Sequence, residues 1–67
     1  MKFKIGDRIV LTEEGKHKYP KLAKKTGTVT QILKMIDGWM SVQFKGKKKI
    51  RSFDQKWFLL EGEGNGS

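Results

Sequence analysis

Lys16, Lys18, Lys21, Lys24 and Lys25 fall within ten residues that contain no acid, and Lys45, Lys47, Lys48, Lys49 and Arg51 fall within seven that contain none. Cationic groups at that density suit one chemistry above others: they neutralise phosphates and release the counterions condensed on them, so binding weakens steeply with salt. These two segments hold ten of the fifteen basic residues. The rest of the chain has five basic residues against seven acidic ones, so the net charge of +8 is concentrated in two places. Lysine outnumbers arginine thirteen to two. Arginine makes the bidentate contacts that read guanine, so the expected mode is contact with backbone phosphates and little sequence specificity. The same lysines would also keep a small domain soluble, but their clustering favours an anionic partner. DNA or RNA is the expected partner, and an acidic protein is the alternative. The basic stretches do not read as an amphipathic helix, so no membrane partner is expected.

Aromatic residues can add stacking to such a surface, worth about 1–3 kcal/mol per unpaired base. Tyr19 sits inside the first basic segment, and Trp39 falls on the outward face of its strand by alternation. Each also has a purely structural reading, Tyr19 anchoring its loop beside Leu22 and Trp39 folding over an end of the domain. Phe53 and Trp57 read as packing residues of the closing turn. Catalysis finds no support. Ser41 and Ser52 have no histidine at a fixed spacing, and a nucleophile needs its base and orienting group within hydrogen-bond reach. His17 lies among lysines as a solvated residue. The acidic pairs Glu13-Glu14 and Glu61-Glu63 sit in a loop and a tail. With no cysteine and one histidine, neither a disulfide nor a zinc centre of about four ligands can form. No cofactor is expected.

Positioning these groups falls to a chain of 67 residues, which allows one domain with a small core. Gly and Pro divide it into short pieces. Ile9-Val10-Leu11 follows Gly6-Asp7, and Glu13 to Thr26 is polar and reads as a long loop, with a helix competing only over Tyr19 to Lys25. Gly27 opens the β-branched run Thr28 to Leu33, Asp37-Gly38 reads as a hairpin turn, and Trp39 to Phe44 alternates with period two. Lys45 to Lys48 forms the next turn and Lys49 to Phe53 a fourth strand. Asp54 is placed to cap one helical turn through Trp57, and Phe58 to Glu61 is the last strand. The expected fold is all-β: five short strands as a single domain over 1–61, with one short 3-10 turn before the last strand, and a disordered tail over 62–67. The alternation puts Ile9, Leu11, Val29, Ile32, Met40, Val42, Phe44, Ile50, Phe58 and Leu60 inside, with Leu22 pinning the long loop. Val29 and Ile32 are three apart, so a β-bulge near Thr30-Gln31 is needed to turn both inward.

Gly6-Asp7-Arg8-Ile9-Val10-Leu11-Thr12, a basic loop, and Gly27-Thr28-Val29-Thr30-Gln31-Ile32 together resemble the KOW-type motif of SH3-like barrels. The remaining pieces, Val42-Gln43-Phe44, Ile50-Arg51-Ser52-Phe53 and Leu59-Leu60-Glu61, fit the wider SH3-like pattern. The stretch from Gly6 to Glu61 also looks like small phage and prophage proteins through Leu11 to Gly15, Tyr19-Pro20-Lys21-Leu22 and Gly27-Thr28-Val29. The resemblance implies a small five-stranded barrel. A cytoplasmic protein, monomeric or weakly self-associating, is expected. Its function would be that of a nucleic-acid-binding module or, alternatively, of a phage factor docking on an acidic host protein.

Overall fold

The computed structural model describes residues 2–62. Five antiparallel strands make one sheet: β1 (Arg8–Leu11), β2 (Gly27–Ile32), β3 (Trp39–Phe44), β4 (Ile50–Asp54) and β5 (Phe58–Leu60), in the spatial order β4-β3-β2-β1-β5. The long segment after β1 is ordered by a short helix, α1 (Glu13–Lys18), and a 3-10 turn, η1 (Pro20–Leu22); a second 3-10 turn, η2 (Gln55–Trp57), precedes β5. The disorder expected of the tail concerns residues 63–67, outside the described residues; Gly62 itself lies in a turn. Among the described residues, no helix is long and apolar enough to cross a membrane.

The sheet must bend over itself. β4 and β5 occupy opposite edges, and in a flat sheet four strand spacings would separate them by about 19 Å. The three residues of η2 span only about 6 Å at a 3-10 rise. The strands are therefore brought nearly end to end, and side chains from the two edges meet in the middle, with the Phe53 and Phe58 ring centroids 5.4 Å apart. β4 and β5 do not pair with each other. The sheet is thus curled and open, where a closed barrel was expected, because η2 passes the chain from one edge to the other without laying the two strands side by side.

Inside the curl lie Phe3, Ile9, Leu11, Leu22, Val29, Met40, Val42, Phe44, Phe53 and Phe58, all buried, with Ile32 and Leu60 partly buried against them. The pairing register shifts between Val29 and Gln31, so that Val29 faces Val42 and Ile32 faces Met40 across the strands. That is the bulge required by their spacing. Ile50 departs from expectation: it is 54% exposed. It pairs with Gln43, whereas Met40 pairs with Phe53. Since Met40 and Gln43 point to opposite faces of β3, Ile50 is on the outer face and Phe53 takes the inner position. Phe3 was not anticipated in the core, yet it is only 2% exposed.

The two hairpin turns have the same construction. Trp39 N–H donates to the Ile36 carbonyl and Lys47 N–H to the Phe44 carbonyl. In each turn the third residue is a glycine with φ of +82°, Gly38 and Gly46 respectively, a conformation that favours glycine. α1 was not expected, since Glu13 to Thr26 read as loop. It starts because the Thr12 hydroxyl accepts from Gly15 N–H at 3.0 Å, while Glu13 and Glu14 occupy its first turn and Lys16, His17 and Lys18 its last, matching the helix dipole. Pro20 then stops it and begins η1. Thr12→Ala is expected to cost about 1 kcal/mol of stability, the usual value of such a cap. Urea denaturation with an unchanged slope would show it, and the loss should localise to amide exchange within α1.

Candidate nucleic-acid interface

Alternation on the curled sheet leaves Arg8 and Val10 of β1, Thr28 of β2 and Gln43 of β3 on the outer face. Arg8 is directly opposite Thr28, and Thr28 opposite Gln43, so these three polar side chains form one row across three strands. At one end of the row the β3–β4 turn brings in Lys45 and Lys47. Gln43 Nε2 donates to the Lys47 carbonyl at 3.3 Å, which ties the turn to the row. Arg8, Thr26, Thr28, Gln43, Lys45 and Lys47 surround a cleft of about 350 Å³, whose rim also includes Glu61.

A second cleft, of about 230 Å³, lies where the long segment returns to the sheet. Its apolar side comes from Val10 and Leu59, which face each other across β1 and β5, and its walls include Lys16, Lys24 and Lys25. Thr26 borders both clefts. The join is a backbone hydrogen bond: Lys45 N–H donates to the Thr26 carbonyl at 2.9 Å. The end of the first basic segment is thereby held against the start of the second. Lys16, Lys24, Lys25, Lys45 and Lys47 thus border adjoining clefts, and Arg8, which the charge clusters did not mark, belongs with them. Only the strand register reveals Arg8.

The remaining expected residues lie elsewhere. Lys18 sits over the rings of Tyr19 and Trp57, 5.8 and 5.2 Å from their centroids, and Arg51 lies 5.3 Å from that of Phe53. Tyr19 packs edge-on against Phe53 at 5.1 Å and against Trp57 at 6.4 Å, so it anchors its own loop. Trp57 is more than a packing residue, since Lys56 approaches its ring at 4.9 Å as well. Lys21 is exposed on η1, and Lys48 and Lys49 are exposed beyond the β3–β4 turn. Trp39 is half-buried at the start of β3. The length of that strand sets it roughly 20 Å from the Lys45 turn, so it stands apart from the clefts.

Few of these charges are neutralised internally. Among the described residues the ion pairs are Lys16 with Glu13 at 3.5 Å and Arg8 with Glu61 at 3.9 Å, both at the surface, where such pairs contribute little. Lys24, Lys25, Lys45 and Lys47 have no described carboxylate within ion-pair distance. An array of free ammonium groups beside hydroxyl and amide donors is equipped to hold phosphate oxygens. No described group of three or more His, Cys, Asp or Glu side chains is arranged to hold a metal ion. Comparison of the chain with family models, with curated proteins and with solved structures gave no match.

Proposed function

We propose that the protein is a small basic nucleic-acid-binding module, without catalytic activity, that holds backbone phosphates along the two adjoining clefts and reads little sequence. The observation that carries this is the Lys45–Thr26 hydrogen bond, which holds the end of the first basic segment against the start of the second although the two residues are nineteen positions apart. The resemblance to SH3-like, KOW-type domains and to small phage proteins bears on the fold rather than on the function; a cytoplasmic location belongs to this reading. Salt titration of binding to generic duplex DNA and to single strands is the test. Lys24→Gln with Lys25→Gln, and separately Lys45→Gln with Lys47→Gln, should each weaken binding to all sequences alike. Each pair should lower the slope of log affinity against log salt by about 1.8 on duplex, or about 0.9 for each phosphate that a lysine ceases to neutralise. Lys34→Gln, on the β2–β3 hairpin, should leave the slope unchanged. Absence of binding at about 50 mM salt, where phosphate contacts dominate, would overturn the reading.

A protein partner is the second reading. It is favoured by the β2–β3 hairpin, where Met35 is 98% exposed and Ile36 51% exposed. Isolated exposed apolar residues are ordinary, but adjacent ones beside a half-buried Trp39 suit an interface. Capture of a single acidic protein that survives nuclease treatment, and is abolished by Trp39→Ala, would favour this reading over the first.

A further inference from the structure

Glu61 is the one described acid on the rim of the larger cleft. Its backbone N–H donates to the Arg8 carbonyl at 2.9 Å, which fixes the residue at the end of β5 beside β1. Its side chain turns toward the cleft. One carboxylate oxygen accepts from the Thr26 hydroxyl at 3.3 Å, and the other stands 3.9 Å from an Arg8 guanidinium nitrogen. The carboxylate therefore uses two of the donors that an entering anion would need. Both contacts are long, and the Arg8 and Glu61 side chains are 74% and 41% exposed, so releasing them costs little.

We infer that the cleft between Arg8 and the Lys45–Lys47 turn is a subsite for a single phosphate group, and that Glu61 is its built-in competitor. This rests on the nucleic-acid reading for the source of the phosphate, a backbone phosphodiester, though the same donors would accept free phosphate. When the ligand enters, the Glu61 carboxylate swings out to water. The phosphate oxygens then take the Thr26 hydroxyl and the Arg8 guanidinium, with Thr28, Lys45 and Lys47 completing the set. Three basic residues, Arg8, Lys45 and Lys47, line the cleft against one carboxylate, so it keeps positive charge to spare even while it is capped. Glu61 thus weakens binding without preventing it, which keeps contacts at this position exchangeable along a strand.

Two measurements test this. In the first, millimolar inorganic phosphate is titrated into the full chain and followed by amide NMR. The amides of Thr26, Thr28, Lys45 and Lys47 should shift, at lower concentration in Glu61→Gln than in the native protein. Unmoved amides would overturn the subsite regardless of how oligonucleotides behave. In the second, a short DNA duplex is titrated at fixed salt into the native protein, Glu61→Gln and Glu14→Gln. Glu14 is exposed on α1, and its replacement removes the same charge outside this cleft. Glu61→Gln should tighten binding by up to about fivefold, the upper end of the range spanned by an exposed ion pair, and Glu14→Gln distinctly less. Equal effects of the two variants would reduce Glu61 to a contributor of net charge and overturn the competitor role while leaving the nucleic-acid reading intact. If phosphate moves the four amides and duplex does not bind at all, the subsite holds and the nucleic-acid reading fails.

Discussion

Replacing Phe53 with alanine is expected to unfold the protein or remove most of its stability. Phe53 is 1% exposed, and its ring lies between those of Tyr19, Phe44 and Phe58 at 5.1, 5.7 and 5.4 Å. It is the point at which the two edges of the curled sheet and the long loop are fastened together. Truncating a buried phenylalanine costs about 3–5 kcal/mol, and a domain of this size has a total stability of about 3–10 kcal/mol. The melting temperature should fall by more than about 12 °C, on the scale of 4–8 °C per kcal/mol for small domains. Ile50→Ala, three residues earlier on the same strand, should change stability by less than about 0.5 kcal/mol because Ile50 stands on the outer face. Thermal denaturation of the two variants side by side is therefore a direct assay of the β3–β4 register. Comparable losses would mean that the strand is paired one residue out of place.

The second large effect runs against the usual rule for helices. Gly→Ala within an exposed helix ordinarily stabilises by about 1 kcal/mol. Gly15→Ala is expected to destabilise by about 1–3 kcal/mol, the cost of forcing extra atoms into a packed site. A β-carbon at Gly15 would stand 2.5 Å from the Trp57 carbonyl oxygen and 2.9 Å from a methyl carbon of Leu11. The same carbonyl accepts from Thr12 N–H at 2.9 Å, so it cannot retreat without loosening the start of α1. The close approach of α1 to η2 is possible because that residue has no side chain. His17→Ala, on the exposed side of the same short helix, should stay within about 0.5 kcal/mol. Chemical denaturation of both variants would separate a packing effect at Gly15 from a change in helix propensity.

How much of this was legible in the residues depended on whether the signal was local. The bulge at Thr30 could be foreseen because Val29 and Ile32 cannot both face inward without it, and the pairing shift lies there. The η2 turn was legible from Asp54, whose carboxylate accepts from Lys56 N–H at 3.0 Å. Gly38 and Gly46 marked their turns because a positive φ is costly for other residues. The face of β4 was not legible: Ile50 and Phe53 have opposite parity on a four-residue run, and only the pairing with β3 decides between them. Phe3 stands between two lysines with no periodic partner, and its burial comes from packing against distant strands. α1 did carry a signal, Thr12 followed by two acids and then three basic residues, but too few apolar positions to show a helical period.

The same held for the candidate site. Charge density alone marked both lysine clusters, and the structure joins Lys16, Lys24, Lys25, Lys45 and Lys47 along two clefts. What the residues could not show was membership set by register. Arg8 and Thr28 lie twenty positions apart and become neighbours only through the β1–β2 pairing. Trp39, attractive from its position beside a turn, is carried away from the lysines by the length of β3.

The order of strands also bears on how the chain comes into being. β1 is made first, yet one of its two neighbours is β5, the last strand made. A nascent chain that has reached only Asp54 carries Ile9 and Leu11 on a strand with one open flank, a template for pairing with other chains. The sheet cannot be completed until Phe58 to Leu60 are synthesised, and at about 5–20 residues per second the stretch between Leu11 and Leu60 takes a few seconds to add. Lys16 to Lys25 and Lys45 to Lys49 precede β5 in the chain, so like charges that disfavour edge-to-edge pairing are present before the sheet is complete.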